Sequence, residues 1–342
     1  MNSKIFIYLI LIIVFFWFLP IGIFAKENTY EGIVNKVIEQ NGNYQKLEVK
    51  NENDIYLIEN GVFESSNNIQ YKVGDKVVVT DGIISDFVRR PFLFILFSVF
   101  IIVSVVIAGK WGITSFLGMG YSFYVIFVFI LPMILKGYDA VTVSIIGSMF
   151  IIPVTFFLSH GINRKTISAI IGTVITMVVI GLLAFISVEF AKLTGFAVEE
   201  ASFLQYQLGN TLNLKGILLA GIIISSLGVL DDITISQASI VEELKNANSK
   251  LSKKELFVRS MKVGKDHISS MVNTLVLVYS GAALPLLLLF VNNPHPFSEV
   301  INYEIIADEI VRTLVGSIGL ILAVPITSYI ASQFSGIKIP KK

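Results

Sequence analysis

The amino-acid sequence specifies a polytopic α-helical membrane protein of about eight spans with a small extracytoplasmic β-barrel domain, OB-like in character. Three features carry that reading. The 342 residues have a mean hydropathy of +0.76, and 54% of them are hydrophobic. Only 15% are charged, against about 25% for a soluble domain. Eight apolar runs recur along the chain, each near the length of about 20 residues that crosses a bilayer.

The first run, 5–24, follows Lys4 and reads as an uncleaved anchor in preference to a signal peptide, because Ile23 breaks the small-x-small pattern before Ala25. Either reading sends the next segment outward. Residues Lys26–Asp86 are polar, with 11 acidic and 6 basic side chains. Strand-like runs at Tyr30–Ile38, Tyr44–Val49, Asp54–Ile58 and Lys76–Thr80 alternate with turn signals such as Asn41-Gly42-Asn43 and Asp81-Gly82. The expected organisation is an anchor or signal segment at 1–25, a β domain at 26–88, and a helical membrane domain at 89–336. In the last the spans fall at 91–108, 114–135, 139–159, 166–190, 215–240, 268–291 and 310–332.

Orientation follows from lysine and arginine in the short loops. Arg164 and Lys165, the seven basic residues of loop 241–267, and Lys338, Lys341 and Lys342 fall on one side. This predicts a multi-pass protein of the cytoplasmic membrane with both termini cytoplasmic and the β domain outside. Arg89 and Arg90 break the rule and are expected at the headgroups. Loop 241–267 reads as an amphipathic helix or helical hairpin, with Leu244, Leu251, Leu256, Phe257 and Met261 at the inner membrane surface.

The chemistry centres on Asp231 and Asp232. Gly216–Val241 reads as one apolar helix, and an ionisable residue inside a span is costly and usually faces a bundle interior or water. Helical spacing puts Ser225, Asp232, Ser236, Ser239 and Glu243 on one stripe, with Asp231 about 100° away. On this reading Asp232 faces the other helices, and the pair forms a proton or ion relay. The competing reading ends the helix at Leu230 and leaves the pair at the interface. Asn273 and Thr274 on the next helix are expected as polar partners, along with Ser236. Arg312 is expected to pair with Asp308 or Glu309.

A net charge of +1 gives no argument for nucleic acid. There are no cysteines and three scattered histidines, so no metal or cofactor is expected. No phosphate-binding loop is present, and an intramembrane protease would need carboxylates on two helices. An enzyme is not expected. The expected partners are the lipid bilayer, an unidentified transported substrate, and a homo-oligomer or envelope partner.

The stretches His160–Thr166, Gly228–Asp232 with Glu242-Glu243-Leu244, Lys262–Asp266, Met271–Gly281 and Ile310–Leu320 resemble the YibE/F family of bacterial multi-pass membrane proteins. Two adjacent aspartates depart from a family pattern in which one is common. More distantly, an Asp-bearing helix, a basic amphipathic stretch, an Asn-Thr-rich helix and a Gly-rich last helix are similar to the membrane domains of SecD/SecF and other RND-type proteins. That resemblance implies an RND-like bundle and proton-coupled export. The expected function is a proton-coupled transporter or permease. The alternative is a non-transporting scaffold whose β domain binds an envelope partner.

Overall fold

The computed structural model describes residues 29–51, 54–61, 69–197, 199–208, 212–292 and 295–335. The expected first span, 5–24, lies outside them, as do the terminal lysines. The chain divides into two compact units, Met1–Ile113 and Thr114–Lys342.

In the first unit, five antiparallel strands run β1 Thr29–Asn41, β2 Tyr44–Asn51, β3 Asp54–Asn60, β4 Lys76–Thr80 and β5 Ile83–Phe87. They pair in the order β3-β2-β1-β4-β5. Period-two alternation sends Leu47 and Val49 of β2 inward with Val34, Ile58, Val77, Val79 and Ile84. Gly32 sits where an added Cβ would collide with Val49, so the strand crossing requires glycine there. The fifth strand was not among the expected ones; Ile83-Ile84-Ser85-Asp86-Phe87 is short and abuts the first apolar helix. The outer strands β3 and β5 approach each other, but no β3–β5 pairing closes the sheet among the described residues. Arg89 lies 2.5 Å from Asp86, and Arg90 lies 3.0 Å from Glu31. The two arginines that broke the charge rule are therefore paired with acids of their own unit.

Helix α1, Arg90–Ala108, also belongs to this unit. Helix α2, Lys110–Leu135, crosses the boundary between the units. It contains a π-helical stretch, Val125–Ile130, just before Pro132. Proline has no N–H for the i−4 carbonyl, and a shifted ladder accommodates the loss.

The second unit continues with α3 Ala140–His160, α4 Arg164–Phe190, α5 Glu199–Leu208, α6 Leu214–Ala247, α7 Lys253–Ala282, α8 Leu284–Val291, α9 Phe297–Val300 and α10 Glu304–Phe334. The starts are set by capping side chains. Asp139, Asn163 and Asn213 each accept a backbone N–H three residues on, and Ser252 with Glu255 forms a reciprocal capping box. Among the described residues, six helices are long and apolar enough to cross a membrane, or up to seven when α7 and α8 are taken as one bent span. The six fall on six of the apolar runs expected between 91 and 332, and the bent pair overlaps the remaining one, 268–291. The bend of 74° falls at Ala283, where Pro285 disfavours helical backbone in the residue before it and withdraws a donor.

Loop 241–267 takes the second of its two expected forms, the helical hairpin, and the correction concerns where its apolar side chains lie. Residues 241–247 continue α6, and 253–267 are the first turns of α7, so the segment is a hairpin of extended spans. Leu251 and Leu256 are buried in the bundle core, with Leu244 and Met261 packed against it. Phe257 meets Tyr329 edge-on at 6.3 Å. The apolar side chains find the neighbouring helices, which bury them better than a surface would.

Candidate functional site

Helices α4, α6 and α10 pack on one another, with α7 against α10 and α6 and with α3 along α6. Small residues permit the close approach. An added Cβ at Gly172 of α4 would strike Thr327 of α10, and one at Gly264 of α7 would strike Val324 and Gln237.

Into this seam α6 directs a column of polar side chains. Ser226, Thr234 and Gln237 are buried. The Thr234 hydroxyl lies 2.8 Å from the Thr173 hydroxyl of α4. Ser328 of α10 donates to Gln237 Oε1 at 3.0 Å. Thr176, Ser144, Ser148, Ser317 and Thr327 are buried on the facing helices. Among the described residues, the hydroxyls of Ser144, Ser148, Ser317 and Thr327 and the Gln237 Nε2 have no hydrogen-bond partner.

Asp231 lies one turn before Thr234, whose hydroxyl reaches the Leu230 and Asp231 carbonyls at 2.8 and 3.3 Å. It is half-buried, and its Oδ1 is buried with no hydrogen-bond partner among the described residues. Its depth follows from two contacts. Lys215 near the start of α6 pairs with Glu189 near the end of α4 at 2.6 Å, so the two helices run antiparallel. Thr173, bonded to Thr234, lies four residues from Met177, the centre of α4. One turn above Thr234, Asp231 is therefore level with the middle of that span. The helix continues through Asp231 to Ala247, so the reading that ended it at Leu230 is overturned.

The assignment between the two aspartates is also corrected. Asp232 is exposed on the flank of α6, within electrostatic reach of His160 at the end of α3. Ser236 is half-buried on the same flank. The stripe expected to face the bundle faces away, because the apolar positions Leu227, Leu230, Ile233 and Val241 turn the other side of α6 inward. Asn273 and Thr274 are exposed as well, and Thr274 donates to Ser270 of its own helix at 3.0 Å. Helix α7 instead packs through Leu256, Ser260, Gly264 and Leu275. The structure thus brings together Thr234 of α6 with Thr173 of α4, and Gln237 of α6 with Ser328 of α10, with Asp231 one turn from Thr234 on the same helix. It does not add Ser236, Asn273 or Thr274. The missed residues do carry a sequence signal: small hydroxyl residues three or four apart, at Ser144/Ser148 and Thr173/Thr176, inside apolar runs.

At the Glu189–Lys215 end, a cavity of 330 Å³ is lined by Asp139, Glu189, Lys215, Gly181 and Ile223. Ile223 is eight residues from Asp231 along α6, about 12 Å. No cluster of three or more His, Asp or Glu side chains able to hold a metal occurs among the described residues.

Comparison with known families matches residues 96–336 to the family described as YibE/F-like protein. The chain belongs to the YibE/F-like family. No curated protein matches it, and no solved structure does. The matched stretch of this YibE/F-like protein contains Asp231 and the whole polar column, while the five-stranded sheet lies outside it. The match thus falls on the helices that build the seam.

Proposed function

We propose that this YibE/F-like protein is a proton-coupled transporter of the cytoplasmic membrane, with Asp231 as the group that takes up and releases the proton. One observation carries the reading: at mid-span, Asp231 holds a buried carboxylate oxygen that no described side chain or N–H satisfies. Carrying a charged carboxylate to the bilayer centre costs about 2.5–3.5 kcal/mol on insertion scales. A carboxylate withdrawn from water binds a proton more readily, and a proton-coupled step uses that property. Thr173, Thr234, Gln237 and Ser328 supply donors and acceptors that rearrange as the proton comes and goes.

The cavity beside Glu189 and Lys215 is the approach on one side, and on this reading that side is extracytoplasmic, with the basic hairpin and termini inside. On the same reading the seam of α4, α6 and α10 is an RND-type bundle, and the sheet order suits an OB-type barrel. No catalytic role is assigned to any residue.

A second reading has its own observation. Ile33, Ile55 and Leu57 are exposed on the outer face of the sheet, in register with Lys50 and Glu48. A scaffold that docks an envelope partner would use such a face.

The test is infrared difference spectroscopy on the protein in liposomes across a pH jump. A protonated-carboxyl carbonyl band is expected in the wild type and in Asp232→Asn, and is expected to vanish in Asp231→Asn. If Asp231→Asn keeps the wild-type band, Asp231 is not the proton carrier and the scaffold reading takes its place.

A further inference from the structure

We propose that the open-sided cavity between α7, α8, α9 and α10 is a binding site for a lipophilic cation, a molecule with an apolar body and one positive charge. The site is argued from its own geometry and does not depend on the proton relay at Asp231.

The bend creates the space. Residues of α7, from Val276 to Ser280, and of α8, from Leu286 to Phe290, line it together. The 74° break swings α8 aside and leaves a cavity of 360 Å³, within the range of about 300–1,000 Å³ typical of small-molecule sites. It lies toward the start of α10, where the Glu304 carboxylate is held by the Thr194 hydroxyl at 2.8 and 2.9 Å and by the Gly195 N–H at 2.9 Å. That is the end of the bundle opposite the His160–Arg164 turn.

The lining selects the ligand. Leu287, Phe290, Phe297 and Leu314 are among its apolar walls, and Tyr279 contributes an aromatic ring. Glu309 is the ionisable carboxylate in the lining, and no Lys or Arg lines the cavity. Its neighbour Asp308 is buried, with Oδ1 lacking a partner among the described residues. One guanidinium serves both acids loosely: Arg312 is 3.5 Å from Asp308 and 3.9 Å from Glu309. Two carboxylates against one cation leave a negative balance beside an apolar chamber. An anion is repelled there, and a neutral molecule gains nothing from Glu309. A cation with an apolar body satisfies both features. Phe290 and Phe297 meet edge-on, with centroids 5.3 Å apart, and offer π faces that attract a cation at close range.

The test uses two ions of the same shape and opposite charge, tetraphenylphosphonium and tetraphenylborate. Binding of each to the full-length protein in nanodiscs is measured by equilibrium dialysis, with empty nanodiscs as the blank. Saturable binding of tetraphenylphosphonium is expected, with no saturable tetraphenylborate component. Glu309→Gln is expected to weaken the phosphonium about tenfold, which corresponds to about 1.4 kcal/mol. Leu287→Trp fills the chamber from a partly exposed position that tolerates a larger ring, and is expected to abolish binding with the thermal unfolding midpoint unchanged. Asp231→Asn is expected to bind as the wild type does, so failure of the relay and failure of this site are read separately. Equal binding of the two ions overturns the proposal, as does wild-type affinity in a folded Glu309→Gln or Leu287→Trp protein.

Discussion

Asp231 and Asp232 are adjacent in sequence and about 100° apart around α6, and their surroundings differ accordingly. Asp231 is half-buried with one carboxylate oxygen lacking a partner among the described residues, whereas Asp232 lies exposed on the flank near His160. A buried polar atom without a partner is destabilising by about 1–3 kcal/mol. Asp231→Leu is therefore expected to raise the thermal unfolding midpoint while abolishing activity, and Asp232→Leu to raise it less; differential scanning fluorimetry on tyrosine and tryptophan checks both. At Gly172 the sign reverses. A leucine there must displace Thr327 and is expected to destabilise the bundle by about 1–3 kcal/mol, measured by the same method. The sequence made the aspartate pair visible because ionisable residues stand out in an apolar run. It did not decide between them, because the polar stripe Ser225–Glu243 looked like the inward face. The buried face was marked instead by Leu230 and Ile233 and by single hydroxyls that apolar packing tolerates.

Among the helices, polar contacts fix register more than they add strength. The Ser328–Gln237 bond joins α10 to α6, and the Thr173–Thr234 contact joins α4 to α6. Interhelical hydrogen bonds in membranes average about 0.6 kcal/mol in double-mutant cycles. A cycle of Gln237→Leu and Ser328→Ala is expected to return a coupling near that value; a coupling of zero would show that the contact does not form in the bilayer. The spans themselves were legible because each needs a long apolar run. The hairpin at 241–267 was legible as helical but was placed on the membrane surface, because amphipathic periodicity does not say whether lipid or protein covers the apolar side. The bend at Ala283 had its sequence cause in Pro285, yet a proline fixes a break without fixing its angle. Asn273 and Thr274 were misassigned because their helix turns its Leu256–Gly264 face inward.

For the molecule as a whole, the two compact units are governed by different features, an ion pair in one and a long helix in the other. In the sheet-bearing unit, the Arg89 guanidinium and the Phe87 N–H hold the Asp86 carboxyl below its ordinary value. A carboxyl whose folded-state value is depressed stabilises above its unfolded value, about 3.9, and that stabilisation is lost as pH falls through the folded value. Unfolding of the first unit is therefore expected to become easier below about pH 4, and Asp86→Asn to flatten that acid limb; circular dichroism of the sheet against pH measures both. The pair is surface-exposed, so the effect shrinks with added salt. In the helical unit, α6 runs without interruption from Leu214 to Ala247, a rod of roughly 51 Å at the helical rise of 1.5 Å per residue. Its last turns stand in the hairpin beyond the seam, and Asp231 sits halfway along it. Whatever grips the hairpin holds the handle of a key whose bit is Asp231: a twist applied at Glu242–Ala247 would turn Asp231 and Thr234 together and pull the Thr234 hydroxyl from Thr173.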